Sequence, residues 1–173
     1  IELLKFALEE AKSLGMTCDL LAGTGFPFGA EFLEGEERAQ VVVIAVKKLE
    51  GPMTTEFSLF DLFKEADPAT LSPYSGRTME MLEVKLVPDP LHSIEQVTDL
   101  SDQIKTNVIR LTIPKGKFAL YGLVKIHGFM KVIQGAPGGM GPVLNHYNET
   151  AVKKYLNRIT DSIQGKIGPL APS

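Results

Sequence analysis

"MTCDLLAGTGFPFG", residues 16–29, decides how this chain is read. Its first seven residues form a nearly continuous apolar run between Gly15 and Gly23, the pattern of a strand covered on both faces. Its second half carries Gly23, Gly25 and Gly29, one proline and two phenylalanines. Just upstream, "ELLKFALEEAKSL" (2–14) has helical period: Leu4, Leu8, Ala11 and Leu14 share one face, and Glu9, Glu10 and Lys12 the other. Gly15 stands where a helix stops on a left-handed residue. Helix, one-glycine turn, buried strand and glycine loop predict one piece of a parallel α/β layer.

The far end of the chain has the complementary pattern. "QGAPGGMGP" (134–142) reads as a flexible loop and "VLNHYN" (143–148) as a short strand. The next stretch, 148–168, places Val152, Tyr155 or Leu156, Ile159 and Ile163 at helical spacing. Asn148 is the expected N-cap, Glu149 suits the first turn, and Gly165 or Gly168 ends the helix. Residues 1–38 and 135–173 therefore read as two parts of one α/β layer. Between them, 39–134 reads as an inserted antiparallel β unit of six or so strands, with a short helix or turn in "SLFDLFKEADPATLSP". In "TMEMLEVKLVPDP" (78–90) alternation puts Met79, Met81, Glu83, Lys85 and Val87 on one face, and Leu82, Val84 and Leu86 on the other. Pro114-Lys115-Gly116-Lys117 reads as a tight connection between strands.

Bulk properties exclude several function classes. With 173 residues, 44% hydrophobic and 23% charged, the composition is globular. A net charge of −3 gives no reason to expect nucleic acid or an anionic membrane as partner. No apolar run is long enough to span a bilayer; Val41–Val46 is far too short. The chain opens on Ile1 inside a helical pattern, as a start cut from something longer would, so the lack of a signal peptide says nothing about location. The single cysteine, Cys18, forms no internal disulfide and reads as a small buried hydrophobe.

The glycine loop fails as a phosphate site. A dinucleotide fingerprint needs G-x-G-x-x-G opening a helix, and the Gly23, Gly25, Gly29 spacing is one residue too long. Pro27 removes a backbone N–H where donors are needed, and no Gly-Lys-Ser/Thr follows. Two readings stay open: a turn whose glycines permit positive φ, or a ligand loop at the end of a strand. Phe26 and Phe28 then either offer an apolar face to a sugar ring or plug the core.

The acidic and imidazole groups leave the catalytic residues unassigned. Asp19 falls inside the predicted strand, and points either to a site or to a structural hydrogen bond. Glu31, Glu34, Glu36 and Glu37 form an acidic run that reads as a solvated face, with Glu31 nearest the loop. His146 ends the short strand before the last helix, a position that suits a site or a cap equally. His92 and His127 lack Asp, Glu or His neighbours at ligand spacing, so no metal site is assigned.

Two stretches resemble a known family. "AKSLGMTCDLLAGTGFPFGAEFL" (11–33) and "GAPGGMGPVLNHYNETAVKKYLNRITDSI" (135–163) are similar to segments of bacterial α-L-rhamnosidases of glycoside hydrolase family 106. In that family a glycine–Ser/Thr–glycine–aromatic–Pro–Phe–Gly loop follows a strand. Later, a Pro-Gly loop precedes a strand ending in Asp-His and a helix carrying a tyrosine. Two positions depart from it: Phe26 stands where tryptophan is frequent, and Asn145 stands where an aspartate is expected, and an asparagine cannot act as a general base. The resemblance implies a partial (β/α) barrel-like layer, helix–strand at the start and strand–helix at the end, as an N-terminal slice of a catalytic region or a diverged relative. It implies inverting hydrolysis of terminal α-L-rhamnosides by the complete protein, calcium in its site, and a periplasmic or secreted location. Such hydrolysis needs two carboxylates flanking the bond; none are identifiable here, so the chain alone is expected to be inactive. Carbohydrate is the implied partner, and Gly23, Gly25, Phe26, Phe28, Asn145 and His146 are the implied contacts. The competing reading is a non-catalytic carbohydrate-binding or structural module. An incomplete barrel would expose strand edges, so self-association is also expected.

Overall fold

The computed structural model describes residues 2–19, 23, 25–66, 77–135 and 139–168. The elements are α1 (Glu2–Ser13), β1 (Gln40–Ser58), α2 (Leu59–Ala66), β2 (Thr78–Asp89), β3 (Thr98–Asp99), β4 (Val108–His127) and α3 (Glu149–Ile167). They divide into two compact units, Gln40–Met130 and Ile1–Ala39 with Lys131–Ser173.

The first is a sheet unit. Its four strands are ordered β1-β4-β2-β3 and pair antiparallel throughout. β1 and β4 run together from Gln40↔His127 to Ser58↔Val108. Two bulges set which side chains face the core. The register slips between Gly51 and Met53, so the buried residues of β4 are Ile109, Leu111 and Ile113 before it, and Leu120, Val124 and Ile126 after it. The expected tight connection at 114–117 is therefore a bulge inside one 20-residue strand. A second slip between Met81 and Glu83 puts Met81 on the same buried face as Val84 and Leu86. Strict alternation through 78–90 had separated them; the extra residue reverses the parity. α2 adds Leu59, Leu62 and Ala66 to this core. "SIEQVTDLSD", expected as a strand, holds 3-10 turns at 94–96 and 101–106 around the two-residue β3. Among the described residues the unit thus has four strands rather than six or so.

The second unit contains α1, α3 and short backbone bridges. α1 buries Leu8 and Ala11 and leaves Leu14 exposed. It stops as expected at Gly15, whose φ is +69°, with Met16 N–H bonding Ala11 C=O (2.8 Å) and Gly15 N–H bonding Lys12 C=O (3.1 Å). The buried strand expected next does not form over 16–19, which are exposed and carry no strand pairing; residues 20–22 lie outside the described residues. Cys18 is accordingly exposed, not a core residue. Val143 and Leu144 pair antiparallel, with Gly29 and Arg38 respectively, in single bridges. The predicted partial (β/α) barrel-like layer is thereby overturned. Such a layer needs parallel strands, whereas every strand pairing among the described residues is antiparallel and the structure is mostly one four-stranded antiparallel sheet with a few helices.

α3 begins as its sequence predicts. The Asn148 side chain accepts from Ala151 N–H at 3.1 Å, and Gly168 follows the last turn with φ +55°. Ala151 and Tyr155 face a small core with Ala30, Leu33 and Leu144, flanked by Phe28, Phe32, Val152 and Ile159.

Candidate functional site

The glycine loop and the stretch before α3 meet through their backbones. Phe26 and Ile133 exchange hydrogen bonds (3.3 and 2.8 Å), Leu144 N–H bonds Phe28 C=O (2.8 Å), and Ala30 N–H bonds Pro142 C=O (3.2 Å). On the other flank of 142–145, Ala39 N–H bonds Val143 C=O (2.7 Å) and Asn145 N–H bonds Glu37 C=O (2.8 Å). Residues 142–145 are thus the middle ply of a short three-ply ladder.

This ladder explains the glycines. Neither Gly25 nor Gly29 has positive φ. What they supply is close approach: a Cβ on Gly25 would stand 2.7 Å from Val132 Cγ1 and 2.8 Å from Gly135 Cα, and one on Gly29 would collide with Pro142 C=O. The open choice about the phenylalanines resolves differently for each. Phe28 is half-buried and packs against Tyr155 (centroids 6.5 Å apart), whereas Phe26 is 72% exposed. Gly23 is exposed.

Asn145 and His146 sit where 142–145 leaves the ladder. The Asn145 amide is engaged with the fold: Nδ2 donates to Glu36 C=O (3.0 Å) and Oδ1 accepts from Tyr147 N–H (3.1 Å). Asn148 Nδ2 also donates to Glu36 C=O (3.2 Å). His146 is exposed, with Nδ1 2.8 Å from Leu144 C=O. The structure therefore brings Phe28 and Asn145 onto one ladder and pairs Phe26 with Ile133, but it commits the Asn145 amide to the 36–37 flank, not the Phe28 flank.

The acidic run divides. Glu37 is clasped by Lys154 of α3, with Nζ 2.7 and 2.8 Å from its two oxygens. That hydrogen bond, then the one from Glu34 N–H, lowers the Glu37 pKa below 4.5. Glu31 instead lines an open groove of about 340 Å³ with Phe32, Arg158 and Ser162. The Arg158 guanidinium lies 4.5 Å from the Phe32 ring centroid. Phe32 also stacks on Tyr155 at 6.1 Å. Sequence reasoning did not single out Phe32, Lys154 or Arg158. The one signal was in the predicted last helix, where Lys154 and Arg158, four residues apart, share a face; nothing local marked Phe32.

Asp19 and His92 are exposed. His127 is buried at the end of β4, its Nε2 3.9 Å from the Glu80 carboxylate. Among the described residues, no three His, Cys, Asp or Glu side chains gather as a metal ion requires. No described helix is long and apolar enough to cross a membrane. Compared with protein-family models, curated proteins and solved structures, the chain matches none.

Proposed function

We propose that this chain supplies a sugar-binding surface to a glycoside hydrolase acting on terminal α-L-rhamnosides. The observation that carries the reading is the ladder: the two stretches that resemble the rhamnosidases, over 100 residues apart in sequence, are hydrogen-bonded to each other. At its edge Phe26 presents an apolar ring to solvent, the surface on which a sugar's C–H face stacks. Glu31 and Arg158, in a groove of their own, offer an acceptor and a fork of donors suited to sugar hydroxyls. Bond cleavage is assigned to none of these groups. Asn145 is not a base, and Glu37 is held as a carboxylate in a structural clasp.

Titration of the isotope-labelled chain with methyl α-L-rhamnoside tests this reading. Amide shifts are expected at Phe26, Ile133 and Glu31, with a Kd of about 1 mM, and Phe26→Ala is expected to abolish them. Equal shifts with D-glucose, or none at saturating rhamnoside, would sink the proposal. Incubation with an aryl α-L-rhamnoside is expected to give no turnover; rates like those of an ordinary hydrolase would refute the assignment of cleavage elsewhere.

The second reading, a non-catalytic carbohydrate-binding or structural module, is favoured by the structural commitment of Asn145. Assay of the gene's whole product on an aryl α-L-rhamnoside separates the two: turnover supports the hydrolase, and sugar binding without turnover supports the module.

A further inference from the structure

We propose that the groove between residues 30–32 and the second half of α3 binds a ring-bearing monocarboxylate, with Arg158 taking the acid group. The inference stands on Arg158 and its surroundings and does not depend on the rhamnoside reading.

The period of α3 builds the groove. Arg158, Ile159, Ser162 and Ile163 recur at helical spacing and so share one face, and Glu31 and Phe32 complete the lining. The space of about 340 Å³ lies at the small end of ligand clefts, which suits a single ring. Phe32, Ile159 and Ile163 give that ring apolar walls.

Among the described residues, Arg158 is held in place without being paired. Its guanidinium lies 4.5 Å from the Phe32 ring centroid, and Phe32 is itself stacked on the buried Tyr155 at 6.1 Å. Stacking uses a face of the guanidinium and leaves its in-plane N–H donors open. Those donors meet no acceptor and no carboxylate among the described residues. Neighbouring cations are committed: Lys154 donates to Glu37 (2.7 Å), and Arg38 Nε donates to Leu33 C=O (2.9 Å). A planar fork held on an aromatic ring is preorganised for a carboxylate, whose two oxygens it takes side by side.

Glu31 sets the charge of the ligand. It lines the same groove and forms no ion pair with Arg158. One guanidinium balances one negative charge; the second charge of a phosphate would find no further cation in the groove and would face Glu31. Ser162 adds no donor for it, because its hydroxyl already donates to Arg158 C=O (2.7 Å). The groove therefore selects a monoanion, and the Glu31 carboxylate is left to accept from a hydroxyl on the ligand body. That body is a sugar acid or an aromatic acid; both carry the carboxylate that Arg158 reads.

Titrations of the isotope-labelled full chain test the proposal, each acid against its neutral twin. Methyl β-D-glucuronide is compared with methyl β-D-glucoside, and benzoate with benzamide. At least one acid is expected to bind with a Kd of roughly 1 mM. It should shift the Arg158 side-chain Nε–H and the Phe32 and Ser162 amides, while its twin leaves them in place. The acid that binds identifies the ligand body. Arg158→Gln is expected to abolish those shifts. Arg158→Lys keeps the charge but loses the fork, and is expected to weaken binding roughly tenfold even if the first variant does not fold. Arg110→Gln, on the sheet unit, is expected to leave binding unchanged. No shift from either acid overturns the proposal, as does equal binding of an acid and its twin. Equal binding of inorganic phosphate, or full binding by Arg158→Lys, also overturns it.

Discussion

In the sheet unit the buried cluster from Ala45 to Ile126 lies wholly on strands and on α2, and long ladders carry the backbone. In the other unit the core is Ala30, Leu33, Leu144, Ala151 and Tyr155, three of them on irregular segments tied by single bridges. The first satisfies its backbone by repetition. The second does so by particular bonds, each made once. Loops held in that way sit at the surface and carry exposed side chains such as Phe26, which suits them to recognition. The long sheet instead offers a broad face.

The comparison predicts different sensitivities. Leu120→Ala, fully buried between β1 and β2, is expected to cost roughly 2–5 kcal/mol in denaturant unfolding. A much smaller loss would mean the sheet core is looser than its burial implies. Gly29→Ala comes next. Its Cβ has no space against Pro142 C=O, so a loss of about 1–3 kcal/mol is expected, with hydrogen-exchange protection falling at Leu144 N–H. Unchanged protection would show that the ladder does not need close approach. Asn148→Ala removes the cap of α3 and a bond to Glu36 C=O, and about 1 kcal/mol should go with it in thermal unfolding.

A smaller effect is expected from the Glu37–Lys154 clasp. The Glu37 carboxyl is held below its ordinary range by the bond from Lys154, so its contribution is fully present above pH 4.5. It is lost as pH falls through the lowered pKa. Lys154 is half exposed, so the contribution is below about 1 kcal/mol. Glu37→Gln should flatten that part of the stability–pH curve; an unchanged acid limb would remove the clasp from the account. Smallest of all is Tyr155→Phe. The Tyr155 hydroxyl is buried and finds no hydrogen-bond partner among the described residues, so its removal should leave stability unchanged or slightly raised. A loss above about 1 kcal/mol would reveal a partner.

Local features were legible in the sequence. Helical period and end residues located α1 and α3, because an amphipathic stripe, an N-cap asparagine and a left-handed glycine act within a few residues of themselves. Parity within strands was legible only up to the first bulge. The slip opposite Pro52 falls at the 114–117 turn signal, but the slip at Leu82 answers the neighbouring strand, and nothing local to "TMEMLEVKLVPDP" announces it. At the candidate site, the sequence marked Phe26 and Phe28 as a pair. Only packing distinguished them, one on Tyr155 and the other in water. The resemblance implied Asn145 as a sugar contact; in the structure its amide bonds Glu36 C=O and Tyr147 N–H.

The sequence by itself determined the helices α1 and α3 with their ends, and the exclusion of a phosphate loop. The tertiary structure decided the direction in which strands pair, and so removed the parallel layer. An apolar run between glycines has the same composition whichever way its neighbours run, and whether it pairs at all depends on residues far along the chain. The glycines of 23–29 show the same limit. Their number was plain, but for Gly25 and Gly29 close approach rather than positive φ is the reason, and it exists only once Val132, Pro142 and Val143 have arrived beside them.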